Sequence, residues 1–169
     1  MKKLFLILLF GMGFVGNVFA AGTVVQTAAM IDQGHMRTIT FTCTGDSSDG
    51  SIPDTDLSAD NAAFVKGYYF YKVEAFPTAG GTAPDAADVL IYDASGLELL
   101  GSEDGGTTAY DGLNLIHATL TRACMPNIYL PRAGLHLSYF PEVTGVLTLD
   151  VDNQATNSAE YTIVLTFVK

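Results

Sequence analysis

The sequence predicts an all-β protein: a single antiparallel β-sandwich, jelly-roll-like in class, preceded by a helical signal peptide. Three observations carry that expectation. Residues 37–44 (RTITFTCT) alternate apolar side chains with threonine at period two, and the C-terminal run 159–169 sets Tyr161, Ile163, Leu165 and Phe167 against threonine and valine, the pattern of half-buried strands. Segments rich in glycine, proline and aspartate interrupt the chain at short intervals. No apolar pattern supports a helix longer than about two turns.

The elements follow in order. Residues 1–20 (MKKLFLILLFGMGFVGNVFA) place Lys2 and Lys3 ahead of a continuous apolar run, Leu4 to Phe10, and end in Val18-Phe19-Ala20, a small-residue cleavage site. Glycines at 11, 13 and 16 leave the apolar run short of a bilayer span, so cleavage after Ala20 and export to a periplasmic or extracellular compartment are expected, with no stable membrane insertion afterwards. Residues 21–169 form the β-sandwich domain. Ala21 to Asp32 suit a leading strand or arm. In Arg37 to Thr44, Ile39, Phe41 and Cys43 point to one face and the threonines to the other. Gly45 to Asn61 reads as a long acidic loop. Gly67 to Phe76 is a strand with aromatic side chains on both faces.

Pro77 to Ala86 reads as a loop, Val89 to Tyr92 as a short strand, and Asp93 to Gly96 as a tight turn into Leu97 to Leu100. Gly101 to Gly112 is a second acidic loop, and Leu113 to Thr121 fits a short helix or a strand equally well. Pro126, Pro131 and Pro141 exclude a long helix beyond it. Gly145 to Asp152 and Ala159 to Lys169 then read as two alternating strands joined as a hairpin through a polar connector at 153–158. Tyr161, Ile163, Leu165 and Phe167 share one face of the last strand, which is expected to seal the core.

Charge excludes one class of partner. Once Lys2 and Lys3 leave with the leader, six basic side chains face eighteen acidic ones, a formal charge of −12. Such a field repels nucleic acid, and the remaining basic residues form no stripe. Cys43 and Cys124 are the two cysteines. An even pair in an exported chain points to one disulfide, with two buried thiols as the alternative.

Candidate chemistry is sparse. Asp46, Asp49, Asp54 and Asp56, with Asp60 nearby, gather in one loop and are candidate calcium ligands, since a hard cation needs several oxygens. Their spacing departs from the EF-hand pattern, and aspartate also fills turns by bonding its own backbone. The histidines, His35, His117 and His136, show no zinc-type spacing. No nucleophile elbow, phosphate-binding loop or thiol-enzyme signature occurs, and no spacing singles out a carboxylate pair for glycoside hydrolysis. No cofactor is expected beyond a candidate calcium, and the chain reads as a non-enzyme. Tyr68, Tyr69 and Tyr71 are the best binding feature, because aromatic residues on both faces of one strand exceed what a single-sided core needs.

Two stretches carry a family resemblance. Residues 66–101 contain KGYYFYKVEAFPTAGGTAPD followed by ADVLIYDASGLELLG, and residues 145–167 read GVLTLDVDNQATNSAEYTIVLTF. The GGTAP loop, the D-x-x-G turn and the terminal G-x-L-T-L…N…S-A pattern resemble small β-sandwich structural proteins of the particles of tailed phages and prophages. That resemblance implies a non-catalytic subunit that oligomerises or decorates a particle.

The expectation is therefore an exported structural or assembly subunit acting through protein–protein or surface contacts, as a homo-oligomer or on a cell-surface partner. A secreted binding module for a glycan or calcium is the alternative, and an exported hydrolase the third reading.

Overall fold

The computed structural model describes residues 21–85, 87–100, 113–116, 122–130 and 135–169. The expected leader at 1–20 and the second acidic loop at 101–112 therefore lie outside the described residues. The elements are β1 (Thr23–Ile31), a 3-10 turn (Asp32–Gly34), β2 (Met36–Thr44), β3 (Thr55–Asp56), α1 (Ala59–Val65), β4 (Tyr69–Pro77) and β5 (Ala87–Tyr92). β6 (Leu113–Ile116), β7 (Arg122–Cys124), β8 (Asn127–Leu130), β9 (Leu135–Ser138), β10 (Thr148–Asp152) and β11 (Glu160–Val168) complete the chain.

They build a five-stranded sheet in the order β1-β2-β11-β4-β7, a four-stranded sheet β3-β10-β5-β6, and a small β8-β9 ribbon. Every strand pair is antiparallel. The all-β expectation holds.

β11 organises the larger sheet. It lies between β2 and β4, pairing along its length with both. Its alternation places Tyr161, Ile163, Leu165 and Phe167 inward, all essentially inaccessible to solvent. Ile39, Phe41 and Cys43 of β2 and Phe70, Val73 and Ala75 of β4 flank them. Val89 and Ile91 of β5 and Leu149 and Val151 of β10 come from the second sheet, and all join one core cluster. Phe70 and Phe167 face each other across the β4–β11 boundary, with ring centroids 5.6 Å apart. That offset, tilted arrangement is favourable for two quadrupoles.

The helix α1 is short because its support is local. Ser58 caps it, accepting from the Asn61 N–H, and its C-terminal end packs Phe64 over the guanidinium of Arg37. Arg37 is the inward-facing residue at the end of β2. Its charge sits between the rings of Phe64 (4.4 Å) and Tyr68 (4.2 Å) and donates to the Phe64 carbonyl. An arginine at the end of the core is tolerated when aromatic faces and a carbonyl replace its water.

Three sequence expectations change. The loop expected at 45–61 contains β3 and the start of α1. The terminal hairpin is instead a crossover: β10 belongs to the four-stranded sheet and β11 to the five-stranded one. Alternation tells which face of each strand is buried, and both strands obey it, but says nothing about which strand lies alongside. Residues Leu113–Ile116, left open between helix and strand, are β6.

The expected disulfide is also corrected. Cys43 is a free, fully buried thiol. Cys43 lies on β2 and Cys124 on β7, with β11 and β4 between them. Three strand spacings put their backbones roughly 14 Å apart or more, beyond the ~7 Å Cα separation a disulfide spans. Burial pushes the Cys43 thiol up to about 12, which removes the thiolate needed for exchange chemistry. Beside it, burial also raises Tyr161, whose hydroxyl has no hydrogen-bond partner among the described residues.

Two outcomes follow from this packing. Phe167→Ala should lose roughly 3–5 kcal/mol of unfolding free energy, read from urea denaturation, because it empties a ring-sized volume at the sheet centre. In folded protein the peptide carrying Cys43 should resist iodoacetamide at neutral pH and become labelled only in denaturant. Rapid native labelling would contradict the burial of this thiol.

Candidate functional site

The sequence-derived site residues separate into three groups. In the acidic loop, Asp46 is buried and faces its own chain: Oδ1 accepts from the Ser48 N–H at 2.6 Å, from the Ser48 hydroxyl, and from the Asp49 N–H. Its carbonyl accepts from Gly50 and Ser158. The hydrogen bonds from the Ser48 hydroxyl and backbone hold the Asp46 carboxyl below its ordinary value. Asp49 in turn accepts from the Ser51 N–H. These two aspartates are the internal frame of the loop.

Asp56 accepts from the Thr148 hydroxyl of β10, and Asp54 reaches Asp150 on the same strand. The four candidate calcium ligands are thus divided between a self-bonded turn and the outer side of β10. Among the described residues no group of three or more His, Cys, Asp or Glu side chains is placed to hold a metal ion. The turn engages Oδ1 of Asp46 and Oδ1 of Asp49, while Asp54 and Asp56 lie against β10, so the four carboxylates do not converge on one point.

A feature the spacing did not reveal is the carboxyl group of Asp150. Partial burial comes first, then repulsion from Asp152 and Asp54 and a hydrogen bond shared with Asp54, and together they raise it from 3.8 to about 6. Asp54 and Asp150 are far apart in sequence, so only the β3–β10 pairing makes them neighbours.

The tyrosines divide by strand parity. Tyr68 and Phe70 are buried, whereas Tyr69 is 47% and Tyr71 36% exposed. Tyr68 is therefore corrected from interface candidate to core residue; its hydroxyl donates to the Gly34 carbonyl at 2.8 Å. A register shift in the β4–β11 pairing lies between Thr166 and Phe167: Phe167 pairs with Phe70 and Thr166 with Lys72, leaving Tyr71 as the extra residue. This β-bulge lets Phe70 and Val73 both face inward while Tyr71 stands out beside Tyr69.

The segment after β9 completes the surface. The Phe70 N–H donates to the Pro141 carbonyl, Tyr69 forms an antiparallel bridge with Glu142, and the Val143 N–H donates to the Tyr68 carbonyl. Residues 141–143 therefore extend the sheet beyond β7, and they deliver Phe140 onto Tyr71 with ring centroids 5.6 Å apart. Tyr69, Tyr71, Tyr139, Phe140 and Val168 line one open groove. Tyr139 and Phe140 are 50% and 41% exposed. Sequence reasoning missed both. Two adjacent aromatic residues ahead of Pro141 were the available signal, because neighbours in an extended chain point to opposite sides.

This groove has no acid–base pair, nucleophile or ion among its lining side chains. Its lining is aromatic and largely apolar. At its side Lys72 is paired with Glu74 at 2.9 Å. Comparisons with known proteins give no relatives: no family model matches the chain, and neither a curated protein nor a solved structure does.

The acidic face makes a pH-dependent outcome. A carboxyl raised in the folded state holds its proton more tightly there than in the unfolded chain, so its contribution to stability is greatest below about pH 4 and declines as pH rises to about 6. Thermal melts across that range should show Asp150→Asn gaining on the unaltered protein as pH rises. A gain that shrinks toward neutral pH would contradict the arrangement.

Proposed function

We propose that this protein is an exported, non-catalytic assembly subunit whose β-sandwich presents an aromatic contact face to other protein. The observation that carries this reading is the exposed group Tyr69, Tyr71, Tyr139 and Phe140, drawn from two distant chain segments onto one side of the larger sheet. Soluble proteins seldom leave contiguous large apolar side chains in water without a partner for them, and tyrosine is enriched at interface centres. The leader-like residues 1–20 support export. The resemblance of residues 66–101 and 145–167 to phage particle proteins supports an assembly role and a homo-oligomeric or surface partner.

The open groove also suits a glycan, whose apolar faces stack on aromatic rings, and this is the second reading. Light scattering on the protein purified from its producing cell separates the two. The assembly reading expects a concentration-dependent mass above the monomer, and Tyr69→Ser with Tyr71→Ser should weaken that association at least tenfold while the urea midpoint stays near its original value. An unchanged mass distribution in the double variant, or a monomer at every concentration, would remove the aromatic face as an assembly surface.

A further inference from the structure

Among the described residues, β1 is an open edge strand of the larger sheet. β1 is nine residues long, TVVQTAAMI, and pairs with β2 from Thr23↔Thr44 to Ile31↔Met36 without a register shift. It contains no charged residue, no proline and no bulge, the devices by which edge strands are ordinarily kept from pairing. The other sheet ends are different: β7, β3 and β6 span three, two and four residues. In a chain of formal charge −10, β1 is a long neutral edge.

Its two halves are unequal. On the inner face, Gln26 is clamped to the β3–α1 segment: its Oε1 accepts from the Ser58 N–H and the Asn61 amide, and its Nε2 donates to the Asp56 carbonyl. Val24 beside it is partly covered by the core. From Ala28 to Ile31 every residue is exposed, Met30 by 58% and Ile31 by 46%. Four consecutive apolar residues thus stand open to solvent on both faces of the strand.

We infer that β1 pairs with β1 of a second copy, antiparallel about a two-fold axis through Thr27, joining two five-stranded sheets into one. The strand is self-complementary in that register. Met30 of one copy lies opposite Val24 of the other, and Ala28 opposite Gln26, so the bare half of each strand meets the clamped half of its partner. On the outer face Val25 lies opposite Ala29 and Thr27 opposite itself. No like charges meet, since Asp32 falls opposite Gly22. An isologous contact of this kind closes at the dimer, and the backbone hydrogen bonds of a new strand pair supply its direction. This edge is distinct from the aromatic face and stands without it.

Cysteine scanning under mild oxidation tests the register. The Cα atoms of opposed residues are about 4.5–5.5 Å apart across an antiparallel pair, within disulfide reach. Thr27→Cys should give a covalent dimer, while Ala29→Cys, displaced from its own copy by about 14 Å along the strands, should give no more than the unaltered protein. Thr27→Lys, at an exposed position, should weaken dimerisation at least tenfold by light scattering with an unchanged circular dichroism spectrum. Equal cross-linking at positions 27 and 29, no cross-linking at 27, or a dimer unaffected by Thr27→Lys would each overturn the inference. Tyr69→Ser with Tyr71→Ser leaves the Thr27→Cys cross-link intact if β1 is the contact, so failure of the edge and failure of the aromatic face give separate results.

Discussion

The inward face of β11 joins the two halves of the larger sheet into one core. Tyr161, Ile163, Leu165 and Phe167 occupy the middle of the larger sheet, so β2 and β4 are held in register by a strand that arrives last in the chain. Each full burial of such a side chain contributes roughly 1.5–3 kcal/mol, and four of them in a row exceed what any surface ion pair here supplies. The cost of closing a sheet between segments so far apart in sequence is loop entropy, which grows only slowly with length. The buried Tyr161 hydroxyl, unpartnered among the described residues, and the inert Cys43 thiol next to it are consequences of that packing: both are enclosed because the strand around them must be.

The same core produces the aromatic surface. Phe70 and Val73 both belong inside, yet they are three residues apart and strict alternation would send one of them out. The bulge at Tyr71 resolves the conflict by inserting one unpaired residue, and the insertion places a second tyrosine on the outer side beside Tyr69. Residues 141–143 then pair with the free edge of β4 and set Phe140 against Tyr71. A packing requirement on the inside has thus fixed the chemistry on the outside, where the aromatic group lies directly on the sheet.

Acidity is organised in a similarly economical way. Asp46 and Asp49 serve the backbone of their own turn, so the loop between β2 and β3 is ordered by hydrogen bonds within itself. Asp54 and Asp152 lie close enough to Asp150 to disfavour its ionisation at the margin of the second sheet. The larger sheet carries a different outer surface, threonine-rich across β2 and β11 and neutral along β1, so the two sheets present different surfaces to any partner.

The fold class and the inward faces of β2 and β11 were legible in the amino-acid sequence, because period-two alternation is a local consequence of the pleat and needs no knowledge of neighbours; in β4 the bulge at Tyr71 reverses the alternation, so the burial of Val73 and Ala75 was not. The sequence also separated Tyr69 and Tyr71 from Phe70. Tertiary structure alone decided which strands lie side by side: that β10 and β11 part into different sheets, that β11 and β4 separate β2 from β7 and keep Cys43 free, that Asp54 meets Asp150, and that Phe140 joins Tyr71. Each of these depends on contacts between residues distant in the chain. Alternation fixes a face, whereas a partner is chosen by the whole core.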